Sequence, residues 1–265
     1  MSLNSIMKYT LNKQQYLDAI RVILKLLRVG EGDEEQLREA APGNQEIMAS
    51  FFDPTIPAGC FYEDPFFDHV QAFLGLADLS EHMQEIIDKG ELFTTDFTAQ
   101  EVGTPHWFDT EEGKTRKSMM FAALYTLIKS INAIKATSWP INHFIAEGRK
   151  GDRSALQLAV KLDTVAITSP TVAAEIMKSD FVDKGKFRRQ LNNALRYPYK
   201  IERVQHGLLR FVLRTMHDDR VLNQLDDEEC FQFFCVELSI YPNKNDESFD
   251  SLNRFIRGCV SNFRT

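Results

Sequence analysis

Apolar side chains recur along this chain at intervals of three or four residues, and this spacing constrains the fold more than any other feature. Residues three or four apart share one face of an α-helix, so the spacing predicts amphipathic helices. Asn12 precedes the first such run and Gly30 follows it, as expected for a helix start and stop. The apolar residues of that run are Tyr16, Ile20, Ile23, Leu24 and Leu27.

Capping residues mark further helix boundaries. Proline directly after Asp, Thr or Ser is typical of an N-cap followed by the first helical position. Such pairs are Asp64-Pro65, Thr104-Pro105 and Ser169-Pro170, with Ser80 and Asp152 as further caps and Gly90 and Gly148 as stops. Strand signals are weak. The sequence therefore predicts an all-α protein of roughly a dozen helices, either a compact multi-helix bundle or an irregular helical stack.

Composition favours a soluble, cytoplasmic protein. The chain has 265 residues, of which 43% are apolar, so a sizeable core is available. Its four cysteines form no C-x-x-C pair, which favours reduced thiols and an intracellular compartment. The N-terminus lacks a long apolar stretch, and no apolar run is long enough to span a bilayer. We therefore expect no membrane partner.

Charge is distributed unevenly along the chain. Residues 1–110 hold 7 Lys or Arg and 19 Asp or Glu, a balance of -12, whereas residues 111–265 hold 24 and 19, a balance of +5. The two sum to the net charge of -7. This asymmetry predicts an acidic helical region over 1–110 and a helical region with a basic helix pair over 111–265, either as two regions or as one continuous domain.

The basic helix pair begins with the segment GKFRRQLNNALRYPYK, Gly185 to Lys200, which has five Lys or Arg and no acid. Helical spacing places Phe187, Leu191 and Ala194 on one face. The opposite face carries Arg188, Arg189, Asn192, Asn193 and Arg196. A second helix is predicted over 201–217, with Arg203, His206, Arg210, Arg214 and His217 in one stripe.

These faces predict a surface for an anionic partner, because solvated helices usually mix charges of both signs. Guanidinium groups bind phosphate or carboxylate through two hydrogen bonds, and Asn hydrogen-bonds bases or phosphates. Tyr197 and Tyr199 could stack on unpaired bases. We therefore predict a non-enzymatic binding or adaptor protein whose partner is a nucleic acid or an acidic protein. The predicted contact residues are Arg188, Arg189, Asn192, Asn193, Arg196, Lys200, Arg203 and Arg210.

An intramolecular role for the basic face is the main competing interpretation. The acidic runs Asp226 to Glu229 and Glu31 to Glu39 could supply its counter-charge, and Arg stems could cover apolar surface between helices.

Catalysis is the second functional hypothesis. Arg210 and His217, seven residues apart, with His206 assisting, could form a metal-independent ribonuclease or phosphodiesterase site. About one such Arg–His match is expected by chance in a chain of this composition, so the residues favour a binding protein over an enzyme.

Metal and cofactor sites are not predicted. The segment Glu63 to His69 is rich in acids, but no Glu-x-x-His pair occurs there or around His82, as a di-metal helical site requires. Phosphate-binding and zinc-protease motifs are likewise missing from the sequence. The sequence identifies neither the partner nor the oligomeric state.

Overall fold

The computed structural model describes residues 3, 10–24, 57–89, 110, 113–197, 199, 206–243 and 247–263, without the side chains of 82, 86–89 and 114. These residues form eleven α-helices and no strand. The all-α class is therefore confirmed, as is the expected number of helices.

From Gly113 to Arg196, short connections join the helices, whereas residues 25–56, 90–109 and 111–112 lie outside the described chain. The first half of the described chain contains α1 (13–24), a 3-10 turn at Ala58–Tyr62, α2 (Phe66–Leu76), α3 (Ser80–Lys89) and α4 (Gly113–Thr137). The middle contains α5 (Ile141–Arg149), α6 (Arg153–Leu162), a 3-10 turn at Thr164–Thr168, α7 (Pro170–Val182) and α8 (Lys186–Arg196). The end contains α9 (Gly207–Asp218), a 3-10 turn at Leu222–Gln224, α10 (Asp227–Phe231), a π-helical segment at Gln232–Glu237 and α11 (Ser248–Phe263).

Several predicted caps have the expected geometry. Asn12 accepts a hydrogen bond from the Gln15 amide at 3.0 Å, and the Gln15 side chain accepts one from the Asn12 amide at 3.1 Å. Asp152 caps α6, and Ser169 caps α7 with proline in the first turn. The prediction that Asp64 caps α2 is wrong, because the N-cap position is Pro65 and no side chain caps this helix.

Of four other predicted boundaries, two differ from the structure and two lie outside the described residues. Ser80 is the first residue of α3, and Gly148 lies inside the last turn of α5, where it packs against Leu156. The caps predicted at Thr104 and Gly90 lie outside the described residues.

The predicted second basic helix is shorter than expected. It begins at Gly207, not near 201, and His206 has a left-handed backbone with φ 62°. Residues 200–205 lie outside the described chain. The start of α9 is packed against α4: a Cβ on Gly207 would lie 2.6 Å from the carbonyl oxygens of Ile134 and Lys135. Glycine is therefore required where these two helices meet.

Two apolar clusters form most of the core. The larger includes residues of α1, α2, α4, α9, α10 and α11, and the smaller includes residues of α5 to α8. Helix α4 joins them, since Ile134 belongs to the larger cluster and its neighbour Ala133 to the smaller. The larger cluster combines residues from both sides of position 110. The division of the chain at that position stays a prediction.

A buried polar joint connects α2, α4 and α5. His69 is fully buried, and its Nε2 donates to the carbonyl of Ala123 at 3.1 Å. The Asn142 amide donates to the backbone carbonyls of Phe61 at 3.0 Å and Asp64 at 2.9 Å. Burial lowers the pKa of His69 to about 3, so the imidazole is neutral at physiological pH. His69 thus belongs to the packing of the helices.

The described part of the chain contains no group of three or more His, Cys, Asp or Glu side chains that could hold a metal ion. Among the same residues, no helix is both long enough and apolar enough to cross a membrane. All four cysteines are free thiols.

Two glycine substitutions test the contact between α4 and α9. In Gly207→Ala, the added methyl group has no room beside the α4 carbonyls, so we expect the free energy of unfolding to fall by about 1–3 kcal/mol. Gly258→Ala is the matched control, because its Cβ would meet nothing within 4 Å and alanine favours the helix by up to about 1 kcal/mol. Urea unfolding of both variants measures the difference. Equal stability of the two variants would contradict this packing.

Candidate anion-binding surface

Helix α8 is divided into an apolar and a polar face. Phe187, Leu191 and Ala194 are buried against the smaller core cluster. Five polar side chains are exposed on the other face, namely Arg188, Arg189, Asn192, Asn193 and Arg196. The structure therefore brings together five of the predicted contact residues on one solvent-facing surface, which we call the α8 basic face. Their role in binding stays a prediction.

Hydrogen bonds formed by Ser179 and Asp183 fix the corner between α7 and α8, and we call this set of bonds the staple. The Ser179 hydroxyl accepts from the Phe187 amide at 2.9 Å and donates to Asp183. Asp183 also accepts from the Lys186 amide at 3.0 Å and from the guanidinium of Arg153. Two of these bonds satisfy backbone amides at the start of α8. They fix the direction of α8 and therefore the orientation of its basic face.

The acids of α7 near this corner are paired with arginines of α6 and α8. Arg153 pairs with Glu175 at 2.6 Å and with Asp183. Asp180 accepts from Arg188 Nε at 3.1 Å, and a second pair joins the same two side chains. The hydrogen bond that Arg188 donates to Asp180 raises the pKa of Arg188. One of the three guanidinium groups of the α8 basic face thus has an internal partner.

The acidic run proposed as counter-charge lies elsewhere. Asp226 and Glu229 form a capping box at the start of α10, and Glu229 also pairs with Lys13 at 2.5 Å. Asp227 pairs with Arg257 of α11 at 3.3 Å. This run therefore does not neutralise α8. The second run, Glu31 to Glu39, lies outside the described residues.

Cations remain in excess around α8. Arg189 donates to the backbone carbonyl of Lys184 at 2.7 Å but pairs with no acid among the described residues. Arg196 is exposed, as are Lys184 and Lys186, and none of them has an acidic partner in the described parts of the chain. The nearby acids Asp180 and Asp183 already form ion pairs with Arg188 and Arg153. The corner therefore has an excess of positive charge.

The predicted stripe on the second helix packs against neighbouring aromatic rings and does not form an open face. We call this row of side chains the seam; its described members are His206, Arg210, Arg214 and His217. Arg214 is half-buried, and its guanidinium lies 3.6 Å from the Trp139 ring centroid and 5.1 Å from that of Phe263. It also donates to the carbonyl of Ser138 at 3.2 Å. Burial lowers the pKa of this guanidinium. Arg214 therefore joins α9 to the end of α4 and to α11.

Arg210 and His206 continue the seam toward the start of α9. The Arg210 guanidinium lies 5.5 Å from the Phe255 ring, although the side chain is exposed. The His206 ring lies 4.8 Å from that of Tyr241 and 5.2 Å from that of Phe255, and burial lowers the pKa of the imidazole. Of the predicted contact residues on this helix, Arg210 alone is described and exposed; Arg203 and Lys200 lie outside the described residues.

His217 ends the seam. Its ring lies 5.6 Å from that of Phe263, and its Nδ1 is buried without a hydrogen-bond partner. Two turns of α9 separate it from Arg210, which is about 10 Å along the helix axis. Arg214 lies between them and is engaged with Trp139. The structure thus does not bring the predicted catalytic side chains together.

Three exposed apolar side chains on α7, the helix before α8, were not predicted from the sequence. Met177, Phe181 and Val182 of α7 are 63%, 88% and 72% exposed. The available signal was that α7 has apolar residues on more than one side, whereas a surface helix usually has one apolar face. Tyr197, which follows α8, is also 73% exposed.

A separate cavity of about 370 Å³ lies beside α10 and α11. It contains none of the predicted site residues. Burial raises the pKa of the Cys230 thiol in its wall to about 12, so this thiol is protonated at neutral pH and is a poor nucleophile.

Comparisons with known proteins found no match: no family model, no curated protein and no solved structure corresponds to this chain.

The staple at the corner generates a pH prediction. Hydrogen bonds to Ser179 and Arg153 lower the pKa of Asp183 to about 2 from an ordinary 3.8. Because the folded pKa is lowered, the stabilisation is complete above 3.8 and disappears as the pH falls through 2. We expect Asp183→Asn to be less stable than the parent protein at neutral pH, with the difference shrinking below about pH 4.

Thermal unfolding of the parent and of Asp183→Asn between neutral and acidic pH measures this effect. Glu228→Gln is the control, because Glu228 is exposed and has no ion pair among the described residues. A stability difference for Asp183→Asn that does not change with pH would show that the carboxylate charge is not part of the staple.

Proposed function

We propose that this protein is a non-enzymatic binding or adaptor protein whose α8 basic face takes an anionic macromolecule. The observation that carries the proposal is the exposure of Arg189, Asn192, Asn193 and Arg196 on one helix face, with no acidic partner among the described residues. The nearby carboxylates of Asp180 and Asp183 are already paired. A partner with phosphates or carboxylates would complete the charge balance of this surface.

The chemistry of the face suits such a partner. Each guanidinium can donate two parallel hydrogen bonds to one phosphate or carboxylate. The Asn192 and Asn193 amides are both donors and acceptors, so they can bind bases or peptide groups between the charged contacts. Exposed Tyr197 provides a ring on which an unpaired base could stack. The guanidinium groups and the amides suit both a nucleic acid and an acidic protein. The stacking ring suits a nucleic acid only.

A charge-neutralising variant tests the proposal. The triple variant Arg188→Gln, Arg189→Gln and Arg196→Gln removes two guanidinium groups without an acidic partner among the described residues and a third, Arg188, that pairs with Asp180, while the buried face of α8 is unchanged. We expect binding to a single-stranded RNA oligonucleotide or to polyglutamate to weaken by roughly tenfold or more, with a shallower dependence on salt. Fluorescence anisotropy with each labelled polymer, at two salt concentrations, measures both effects.

The control variant carries the same change of charge on other elements: Lys150→Gln, Arg220→Gln and Arg254→Gln, all exposed in the structure. It should bind as the parent does, apart from a small uniform effect of net charge. The proposal fails if the parent binds neither polymer, or if the two triple variants lose the same affinity. The polymer that binds identifies the partner class.

The alternative hypothesis of RNA cleavage by Arg210 and His217 has a direct test. The RNA is incubated with the parent and with His217→Ala, with and without EDTA, and its length is measured. We expect intact RNA in every sample, because Arg210 and His217 are two turns apart on α9, and Arg214, which lies between them in the sequence, is engaged with Trp139 and Phe263. Cleavage that persists in EDTA and is lost in His217→Ala would replace the binding hypothesis by the catalytic one.

A further inference from the structure

An exposed apolar patch lies at the C-terminal end of α7 and consists of Met177, Phe181 and Val182. Exposures of 63% to 88% are unusual for such side chains, and these three are among the five large apolar side chains found exposed in the described residues. Met177 and Phe181 are one helical turn apart, so they share a face. The opposite side of the helix packs through Val172, which is fully buried. The patch is therefore not required for the packing of α7.

The patch is held in a defined position. It lies directly before the staple in which Ser179 and Asp183 bind the start of α8. Lys184 and Gly185 turn the chain there with left-handed backbones, at φ 57° and 71°. Because this turn is hydrogen-bonded on both sides, Phe181 and Val182 are presented at a fixed corner and not on a loose loop.

Three exposed basic side chains follow the patch along the chain, namely Lys184, Lys186 and Arg189, and we call them the basic rim. None of these side chains has an acidic partner among the described residues. Asp180, which lies between the apolar positions, is neutralised by Arg188, and Asp183 by Arg153. The corner thus combines protruding apolar side chains with unbalanced positive charge.

Two kinds of anionic partner fit this combination less well. Bases of a nucleic acid stack on aromatic rings, and Met177 and Val182 are not aromatic. A protein partner would need an apolar pocket of matching shape with acids around it. A bilayer interface accepts apolar side chains of any shape, and anionic headgroups attract nearby Lys and Arg. Phe, with Lys and Arg beside it, is typical of side chains at that interface.

We propose that the α7–α8 corner is a contact site for a membrane surface containing anionic lipids. The apolar patch enters the boundary between headgroups and acyl chains, and the basic rim contacts lipid phosphates and carboxylates. This is contact with one leaflet and does not involve a membrane-crossing helix. It revises the expectation from the sequence that the protein has no membrane partner. The inference goes beyond the proposed function, because it depends on side chains outside the α8 basic face, although Arg189 belongs to both.

Vesicle co-sedimentation with the full chain tests the inference. The probes are phosphatidylcholine vesicles and vesicles in which roughly one-third of the lipid is phosphatidylserine. We expect binding to the mixed vesicles, weaker binding at high salt and little binding to phosphatidylcholine alone. The double variant Phe181→Ser and Val182→Ser should bind the mixed vesicles roughly tenfold less or weaker, because the apolar contribution is removed.

Val236→Ser is the matched control, because Val236 is an exposed apolar side chain, at 47%, on a different segment. It should bind as the parent does. Circular dichroism checks that the double variant folds. We expect it to fold, because Phe181 and Val182 are mostly exposed to solvent. A Phe181→Trp variant gives a second measurement: its fluorescence should shift to shorter wavelength with the mixed vesicles, as the indole leaves water.

The inference is overturned if the parent does not bind the mixed vesicles, or if the double variant binds as well as Val236→Ser. It is also overturned if light scattering shows that the parent self-associates and the double variant does not, because a second copy would then cover the patch. Failure here is distinguishable from failure of the proposed function. The double variant keeps Arg188, Arg189 and Arg196, so its binding to RNA or polyglutamate should equal that of the parent.

Discussion

The geometry and charge of the α7–α8 corner depend on the hydrogen bonds that the Asp183 carboxylate accepts. This carboxylate accepts hydrogen bonds from the Ser179 hydroxyl, the Lys186 amide and the Arg153 guanidinium, and so joins α6, α7 and the start of α8. The same bonds have an electrostatic consequence. By engaging the acid nearest to the corner, they leave Lys184 and Lys186 without a carboxylate among the described residues. One local interaction thus fixes the geometry of the corner and its positive charge.

Two cationic stripes that look alike in the sequence have different environments in the structure. The polar side chains of α8, Arg189 and Arg196 among them, are exposed to solvent. Those of α9 face α11, where Phe255 and Phe263 lie beside Arg210 and Arg214. A guanidinium is weakly hydrated and stacks well on aromatic rings, so it can be part of a helix interface. The number of basic residues on a helix therefore does not define a binding surface.

Much of the local structure could be predicted from the sequence. The two faces of α8 and the caps at Asn12, Asp152 and Ser169 follow from helical spacing and from hydrogen-bond chemistry within a few residues. These features are local, so no knowledge of the packing between helices was needed.

The remaining features depend on contacts between helices. The partner of Arg188 is Asp180, which becomes its neighbour because the chain reverses at the corner. The burial of Arg214 depends on where α4 and α11 meet α9. The exposure of Phe181 could not be predicted either, because an apolar residue at that position of a helix is as consistent with a core as with a surface.

Hydroxyl-radical footprinting of the protein in dilute solution measures most directly whether the corner is open to solvent. We expect Phe181 and Met177 to be oxidised rapidly, while Phe187, which is fully buried and only six residues after Phe181, is protected. Protection of Phe181 and Met177 to the level of Phe187 would contradict it, because the apolar patch would then be covered within the molecule.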